Sequence, residues 1–386
     1  MSIPVTFFID DKLGGVSSLN LNLIQHAPEG FSQTVIHMEE QSLKIVRSGI
    51  QYPVDKQLQF VFDKKSNVYH VLAKMRKLVS DKPGAMVLNY GSEMAMLDHY
   101  QVSQTTYQLV HDAYNLDLAK IYGHLVDVFI CHNAFIESEL KKLFPSRLND
   151  IFFLSHGVKI PEQYRKAKKE DEPLSLLFLG RFARAKGIFD LPKIAALLRQ
   201  KNIKVKWTCI GSGPEETDFK NSWHPDDEVS FLSPATNEEV IEICQSNDVF
   251  VLPTKFEGTP VSLLETMSVG LVPVITSLSG GIEEIVKTDI GYALEMDENL
   301  AFATAVEALH NNRSKLEQLS FNCRNKIITD FNIINTSKKY YALFSQFENF
   351  KKEKKIKRLK IGSRLDHPMI PETLVRMIRN VVNKSI

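Results

Sequence analysis

The run Lys255-Phe-Glu-Gly-Thr-Pro-Val-Ser-Leu-Leu-Glu265 places two carboxylates, Glu257 and Glu265, at E-x7-E spacing behind an apolar stretch. Pro260 suits the first position of a helix and Thr259 its cap, which predicts free amides near Val261–Leu263. A helix start presents N–H donors and the positive end of the helix dipole, a site for a phosphate or a sugar oxygen. Glu257 falls in the loop before that helix and Glu265 between one and two turns into it. The two acids can therefore reach different parts of one long ligand. A second run, Leu179-Gly-Arg-Phe-Ala-Arg-Ala-Lys-Gly187, puts Arg181 and Lys186 where a strand hands over to a helix. A departing diphosphate gathers negative charge as its bond breaks, and fixed cations stabilise that transition state more than the ground state. Arginine can grip two phosphate oxygens while lysine acts as a point charge. Arg184, between them, reads as an exposed loop cation.

Two glycine loops accompany these motifs. Ile210-Gly-Ser-Gly-Pro214 ends a strand, and Gly211 and Gly213 would let the backbone approach a ligand closely. Gly14-Gly15-Val16-Ser17 lies between the first strand and the first helix. It lacks the third glycine of a dinucleotide fingerprint.

The elements that must carry these residues alternate as short apolar strands and longer helices, the pattern of parallel α/β layers. Strands are expected at Val5–Ile9, Thr34–Met38, Ala85–Asn89, Tyr107–His111, Val126–Cys131 and Ile151–Leu154. After the charged interval Pro161–Pro173, which reads as a linker, they resume at Leu174–Leu179, Val205–Ile210, Val229–Leu232, Asp248–Pro253 and Val272–Thr276. Helices are expected at Val68–Val79, Leu116–Gly123 and Ala134–Leu143, and Thr236 with Glu239 forms a capping box opening another. The expected architecture is α/β, two Rossmann-like doubly wound domains facing across a cleft, with ligands beyond the strands' carboxyl ends. The expected division is 1–160, 161–335 and a tail, 336–386, returning to the first domain.

With 386 residues, 44% hydrophobic and 24% charged, the chain is an ordinary globular composition long enough for two cores. A net charge of +1 gives no whole-molecule field for nucleic acid. Cys131, Cys209, Cys244 and Cys323 form no C-x-x-C or metal-ligand spacing and read as reduced core residues. With neither a signal-peptide pattern nor an apolar run near ~18 residues, the expectation is a cytoplasmic protein. No D-x-D occurs and the histidines do not cluster, so no metal ligand set and no cofactor are expected.

From about Leu174 to Asn311 the chain resembles the donor domain of family 4 retaining glycosyltransferases, of the two-Rossmann GT-B type. The stretches that carry the likeness are GRFARAKG, IGSGP, FEGTPVSLLETMSVGLVPVITS and GGIEEIV, in that order. The first half is similar more loosely, through LGGVSS, TTYQLVHDAY and LSHGV. The resemblance implies a nucleotide-diphosphate sugar as donor and a glycan or lipid-linked acceptor. It implies Arg181 and Lys186 on the diphosphate with Gly180 beside them, Glu265 on the ribose and Glu257 facing the transferred sugar. Gly258, Thr259, Pro260, Val261 and Ser262 would contact sugar or phosphate, and Gly14 and Gly15 would leave space at the acceptor-side helix start. His111, followed by Asp112, matches the position beside the transferred sugar, whereas His156 more readily shapes a loop. Where many members have an aromatic residue and glycine after the first glutamate, this chain has Gly258-Thr259-Pro260, and Ser233 replaces a usual glycine. The implied reaction is retaining and metal-independent, with attack from the face the diphosphate leaves.

A dehydrogenase would need G-x-G-x-x-G with an acid ~20 residues on, which neither half supplies. The remaining alternative is a non-catalytic nucleotide-sugar-binding protein on the same fold. Lys351–Lys360 is strongly basic and reads either as a solvated helix end returning to the first domain or as a contact with an anionic membrane. Leu374–Ile386 reads as a short amphipathic helix.

Overall fold

The computed structural model describes residues 2–10, 15–41, 52–166, 168–170, 172–233 and 236–382. It divides into two compact units, one of residues 1–132, 136–154 and 334–386 and the other of residues 133–135 and 155–333. The first unit is built on a parallel sheet of β1 (Ile3–Asp10), β2 (Phe31–Glu40), β3 (Lys56–Phe62), β4 (Ala85–Leu88), β5 (Thr105–Val110), β6 (Val128–Cys131) and β7 (Ile151–Phe153). Their spatial order is β3-β2-β1-β4-β5-β6-β7. The second holds β8 (Leu174–Leu179), β9 (Val205–Ile210), β10 (Glu228–Leu232), β11 (Val249–Leu252), β12 (Val272–Thr276) and β13 (Tyr292–Leu294), in the order β10-β9-β8-β11-β12-β13. Both are doubly wound, Rossmann-like units.

Helices on both faces explain why β4, β5, β6, β11 and β12 are buried at every residue and read as unbroken apolar runs. In each sheet the strand order reverses beside the first strand, at β1/β4 and at β8/β11. Loops diverge there, and the carboxyl ends of β8 and β11 carry the two charged motifs.

Two strands escaped the sequence reading, and both are edges. In β3, Lys-Gln-Leu-Gln-Phe-Val-Phe, only Phe60 is buried, so no apolar run marks it. β13 has three half-buried residues. The helix expected from Leu116 starts at Ala113, because Asp112 caps it by accepting the Asn115 amide at 3.1 Å. The Thr236–Glu239 capping box forms as expected.

The Pro161–Pro173 interval is no loose linker. Residues 155–333 belong to the second unit, so this interval lies inside it. Arg165 is fully buried there, donating to Asp248 Oδ1 and Ser320 Oγ at 2.8 Å each and pairing with Glu317. A guanidinium buried this deeply must be paired on every side, and removing it takes from fully buried Asp248 one of its two cationic partners, Lys168 being the other. Arg165→Ala is expected to destabilise the second unit by about 3–5 kcal/mol, read as a lower urea midpoint at unchanged slope.

The tail expected to return to the first unit is part of it from Ile334 onward. Tyr341 donates to Gln33 Oε1 at 2.9 Å, and Leu343 O accepts from Tyr107 at 3.2 Å. The basic stretch Lys351–Lys360 is not a helix end. It runs without regular structure, and much of its charge is spent inward. Lys351 Nζ donates to the carbonyls of Val102 and Gln104, Lys352 pairs with Asp150, and Lys354 lies 2.7 Å from buried Asp127. Burial pulls the Lys354 ammonium down to about 8 despite that partner. Asp98 takes the amides of Lys357 and Leu359. No helix among the described residues is long and apolar enough to cross a membrane. All four cysteines are free and buried, and burial pushes the thiols of Cys209, Cys244 and Cys323 up.

Candidate functional site

The candidate donor site is assembled by three loops at the carboxyl ends of β8, β9 and β11. The loops after β8 and β9 are zipped together by backbone hydrogen bonds, Gly180 N to Ile210 O at 3.0 Å and Phe182 N to Ser212 O at 2.9 Å. Glycine is required by this contact. A Cβ on Gly211, at φ +148°, would sit 2.0 Å from Gly180 O, and one on Gly213 would sit 2.3 Å from Phe182 O. The expectation that these glycines make room for a ligand is corrected: they make room for the neighbouring loop, which holds Arg181 in place. Arg181 itself is exposed and enters no ion pair among the described residues. Arg184 is committed elsewhere, 3.1 Å from Glu215 and stacked over Phe189, in keeping with its reading as a loop cation.

The loop after β8 is also fastened to the loop after β11. Gly187, at φ +69°, lies so close to Pro253 that a Cβ would come within 1.8 Å of its carbonyl oxygen. Ala185 O accepts from the Lys255 amide at 2.8 Å and from Thr254 Oγ1 at 3.1 Å. This stitching brings Lys186 and Glu257 into an ion pair across 71 positions of sequence. Both side chains are largely withdrawn from water. A cation assigned to phosphate and an acid assigned to a sugar are thus partners in one ion pair.

The helix Val261–Ser268 begins one residue later than expected. Pro260 is its cap residue rather than its first residue, and Pro260 O accepts from the amides of Leu263 at 3.1 Å and Leu264 at 3.4 Å. The amides left for a ligand are therefore those of Val261 and Ser262, not Leu263. Thr259 does not cap the helix either. Its hydroxyl is buried with no hydrogen-bond partner among the described residues, against Gly281, where a Cβ would come within 2.1 Å of it. A buried hydroxyl without a partner is costly, and it is ready to bond a ligand oxygen at the helix start. Gly258 is half-buried just ahead of it.

Glu265 projects from the same helix, part-buried, and its carboxyl makes no hydrogen bond or ion pair among the described residues. Burial alone pushes its carboxyl up to about 7. An acid in this state gains most from a ligand that brings hydroxyl donors.

In the first unit His111 follows β5 and is buried. Its Nε2 lies 3.2 Å from Asn89 Oδ1, its amide donates to Asn115, and its ring stacks on His132 at 4.8 Å. Burial and, second, the neighbouring His132 hold it well below the usual histidine range. Burial likewise takes His132 down to about 4, with Tyr340 Oη and Leu154 O beside its Nδ1. His111 is accordingly a neutral hydrogen-bonding group at physiological pH. Gly15 is the exposed first residue of the helix Gly15–Gln25, while Gly14 lies outside the described residues.

Sequence reasoning passed over a cluster at the carboxyl ends of β1 and β4. Asp10 holds Tyr90 Oη at 3.2 Å. Glu93, fully buried, accepts from the amides of Asn89 and Tyr90 and from Ser92 Oγ, and burial pushes it up to about 7. The only signal was a strand running into Asn-Tyr-Gly-Ser-Glu.

Two acids, a lysine, an arginine, the helix-start amides and the buried Thr259 hydroxyl, all following the carboxyl ends of β8 and β11, make a site for an anionic, polyhydroxylated ligand. Residues 159–326 match the family model of glycosyl transferases group 1. Nearly the whole of the second unit is thus similar to group 1 glycosyl transferases.

Among curated relatives of this domain, the Escherichia coli UDP-Gal:alpha-D-GlcNAc-diphosphoundecaprenol alpha-1,3-galactosyltransferase is 30% identical over 141 residues, 36% of this chain and 36% of the relative. The Staphylococcus aureus capsular polysaccharide biosynthesis glycosyltransferase CapM is 26% identical over 227 residues, 56% of this chain and 57% of the relative. The chain thus spans about a third to just over half the length of these curated relatives. The structure of Anabaena HepE in complex with UDP-glucose superposes with a TM-score of 0.72 at 14% identity, covering 89% of this chain and all of that one. That likeness shows the fold, two Rossmann-like units of the GT-B type.

Proposed function

We propose that the chain is a retaining, metal-independent glycosyltransferase that moves a sugar from a nucleotide-diphosphate sugar to a glycan or lipid-linked acceptor. The observation that carries this reading is the Lys186–Glu257 pair, which joins the loop carrying exposed Arg181 to the loop that leads into the helix start at Val261 and Ser262. Arg181, Lys186 and the helix start neutralise the diphosphate as its bond to the sugar breaks, the task a divalent cation performs in metal-dependent transferases. Glu257 turns from Lys186 to the sugar hydroxyls, and Thr259 Oγ1 gains a bond to sugar or phosphate. Glu265 binds the ribose. His111 enters as a neutral hydrogen-bonding imidazole. The acceptor hydroxyl attacks from the face the diphosphate leaves, and a phosphate oxygen takes its proton.

The names of the relatives, one acting on a lipid diphosphate and one in capsular polysaccharide biosynthesis, support the acceptor class. A lipid-linked acceptor also requires peripheral contact with an anionic membrane surface.

Purified protein incubated with a panel of nucleotide sugars is expected to release nucleoside diphosphate slowly from one of them. Binding without turnover on every donor and acceptor would leave a nucleotide-sugar-binding protein instead. Turnover is expected to persist in excess EDTA, and loss restored by magnesium or manganese would reject the metal-independent mechanism. Proton NMR of the first product is expected to show the donor's anomeric configuration. An inverted product would overturn retention while leaving the fold untouched.

A further inference from the structure

The helix Glu372–Val382 buries Val375 against the first unit but leaves most of its apolar side outward. A surface helix ordinarily turns its apolar stripe to the core and its charges to water. Here the charged side is the one fastened down. Glu372 accepts the Asn67 amide at 2.8 Å, and Arg376 donates to Ser66 Oγ at 2.8 Å. Arg379 donates to Ser66 O and pairs with Asp366, each at 2.5 Å, and Lys65 Nζ reaches Asn380 Oδ1 at 2.8 Å. Leu374, Met377 and Val381, at i, i+3 and i+7, form one stripe on the other side, 46%, 65% and 63% exposed. Met369, just ahead of the helix, is 83% exposed. Val375 is the one fully buried apolar side chain of the described helix, and turning the helix to bury the stripe would expose it. A set of specific polar bonds holds the apolar face outward.

Its place and its surroundings identify the occupant. Asp366 accepts the Val68 amide, and Asn67 Nδ2 donates to the carbonyls of His367 and Ile370. These bonds anchor the segment where the chain leaves the carboxyl end of β3, the ligand-binding edge of a doubly wound sheet. The preceding segment carries Lys355, Lys357, Arg358, Lys360 and Arg364, all exposed and in no ion pair among the described residues, and residues 354–365 contain no acid. A second copy of this surface would bring like charges together. An anionic bilayer offers headgroups to the bases and an apolar interior to the stripe.

We propose that the outward stripe of Leu374, Met377 and Val381, with the unpaired bases before it, docks the first unit on an anionic lipid bilayer. The assignment rests on reading the acceptor as lipid-linked, and of the basic stretch Lys351–Lys360 it keeps Lys355, Lys357, Arg358 and Lys360 while leaving out Lys351, Lys352 and Lys354, whose charges are spent inward. The test is sedimentation of the full chain with phosphatidylglycerol-containing vesicles and with pure phosphatidylcholine vesicles, at low and high salt. Wild type is expected to bind the anionic vesicles at least tenfold more tightly, with high salt removing most of the binding. L374Q/M377Q/V381Q is expected to lose at least tenfold at either salt concentration. K355Q/R358Q/K360Q is expected to lose the salt-sensitive part. Melting temperature serves as the folding control for both variants. Equal binding by the first variant, or no preference for anionic vesicles in wild type, overturns the proposal. A lipid-free dimer that becomes monomeric in the first variant assigns the face to a second copy instead. Donor hydrolysis measured without lipid is expected to be unchanged in both variants, so failure to dock and failure to catalyse are read separately.

Discussion

Lys186→Ala is expected to lower kcat by about ten- to a thousandfold, the larger loss of the two phosphate-site variants, with Arg181→Ala in the lower part of that range. Each cation is asked to supply ~1.4–4 kcal/mol at the transition state. They are not equivalent, because their resting states differ. Arg181 is exposed and unpaired, so its removal subtracts one charge from the diphosphate site. Lys186 is paired with a Glu257 carboxylate that is itself largely withdrawn from water. Its removal subtracts a cation and takes the Lys186 partner from an acid that stands beside the incoming diphosphate. Lys186→Ala should therefore raise donor KM as well as lower kcat, whereas Arg181→Ala should act mainly on kcat. The double variant Lys186→Ala/Glu257→Gln is expected to recover the KM defect and not the kcat defect. Should both single variants stay within about twofold of wild type in kcat/KM, with melting temperatures intact, the phosphate site lies elsewhere.

The second large effect belongs to Glu265. Its carboxyl is raised from 4.5 to about 7 by burial, so in the folded protein the ionised form is disfavoured relative to the unfolded chain. The stability this contributes is present below the unfolded value and is lost as pH rises through about 7. Glu265→Gln is therefore expected to melt close to wild type at pH 5 and above it at pH 8. The gap should be roughly 2–10 °C if ionisation costs ~1–3 kcal/mol. Nucleotide affinity should move the other way. Ribose hydroxyls donate to the ionised form, so binding of a nucleoside diphosphate should tighten about tenfold between pH 6 and pH 8, following the ionised fraction around a value near 7. In Glu265→Gln that pH dependence should vanish, with donor KM raised and kcat little changed. Calorimetric titrations at the two pH values read the first effect, and steady-state kinetics the second. A variant that is both destabilised at pH 8 and unaltered in nucleotide binding would remove Glu265 from the site.

Much of this was legible in the sequence because buried parallel strands leave continuous apolar runs and because strand ends with charged loops stand out against them. β8, β9 and β12 fall on the expected residues. What was not legible depends on contacts between distant segments. Thr259 and Pro260 fit a cap and a first helical residue by type. Their places shift because Pro260 O takes two amides and Gly281 closes over the threonine. Gly211 and Gly213 signal a close backbone approach, but the sequence cannot say to what. Arg165 sits in a stretch as polar as any linker, and only the fold brings Asp248, Glu317 and Ser320 around it. Edge strand β3 fails for the opposite reason: its own residues hardly differ from a solvated loop.

The discontinuity of the first unit bears on how the chain is made. The second unit is nearly one unbroken stretch, residues 155–333, and all six of its strands emerge before Ile334. The first unit has its sheet complete by Phe153, yet the partners of Gln33, Tyr107, Asp127 and Asp98 arrive after residue 340. During synthesis the earlier-made sheet must wait, with Tyr107 and the surface around Gln33 uncovered, while the later-made unit folds first. That order inverts the usual vectorial sequence. The interval is the natural point for a chaperone to engage the nascent chain, and a ribosome paused beyond residue 333 should display a protease-resistant second unit beside a still-cleavable first.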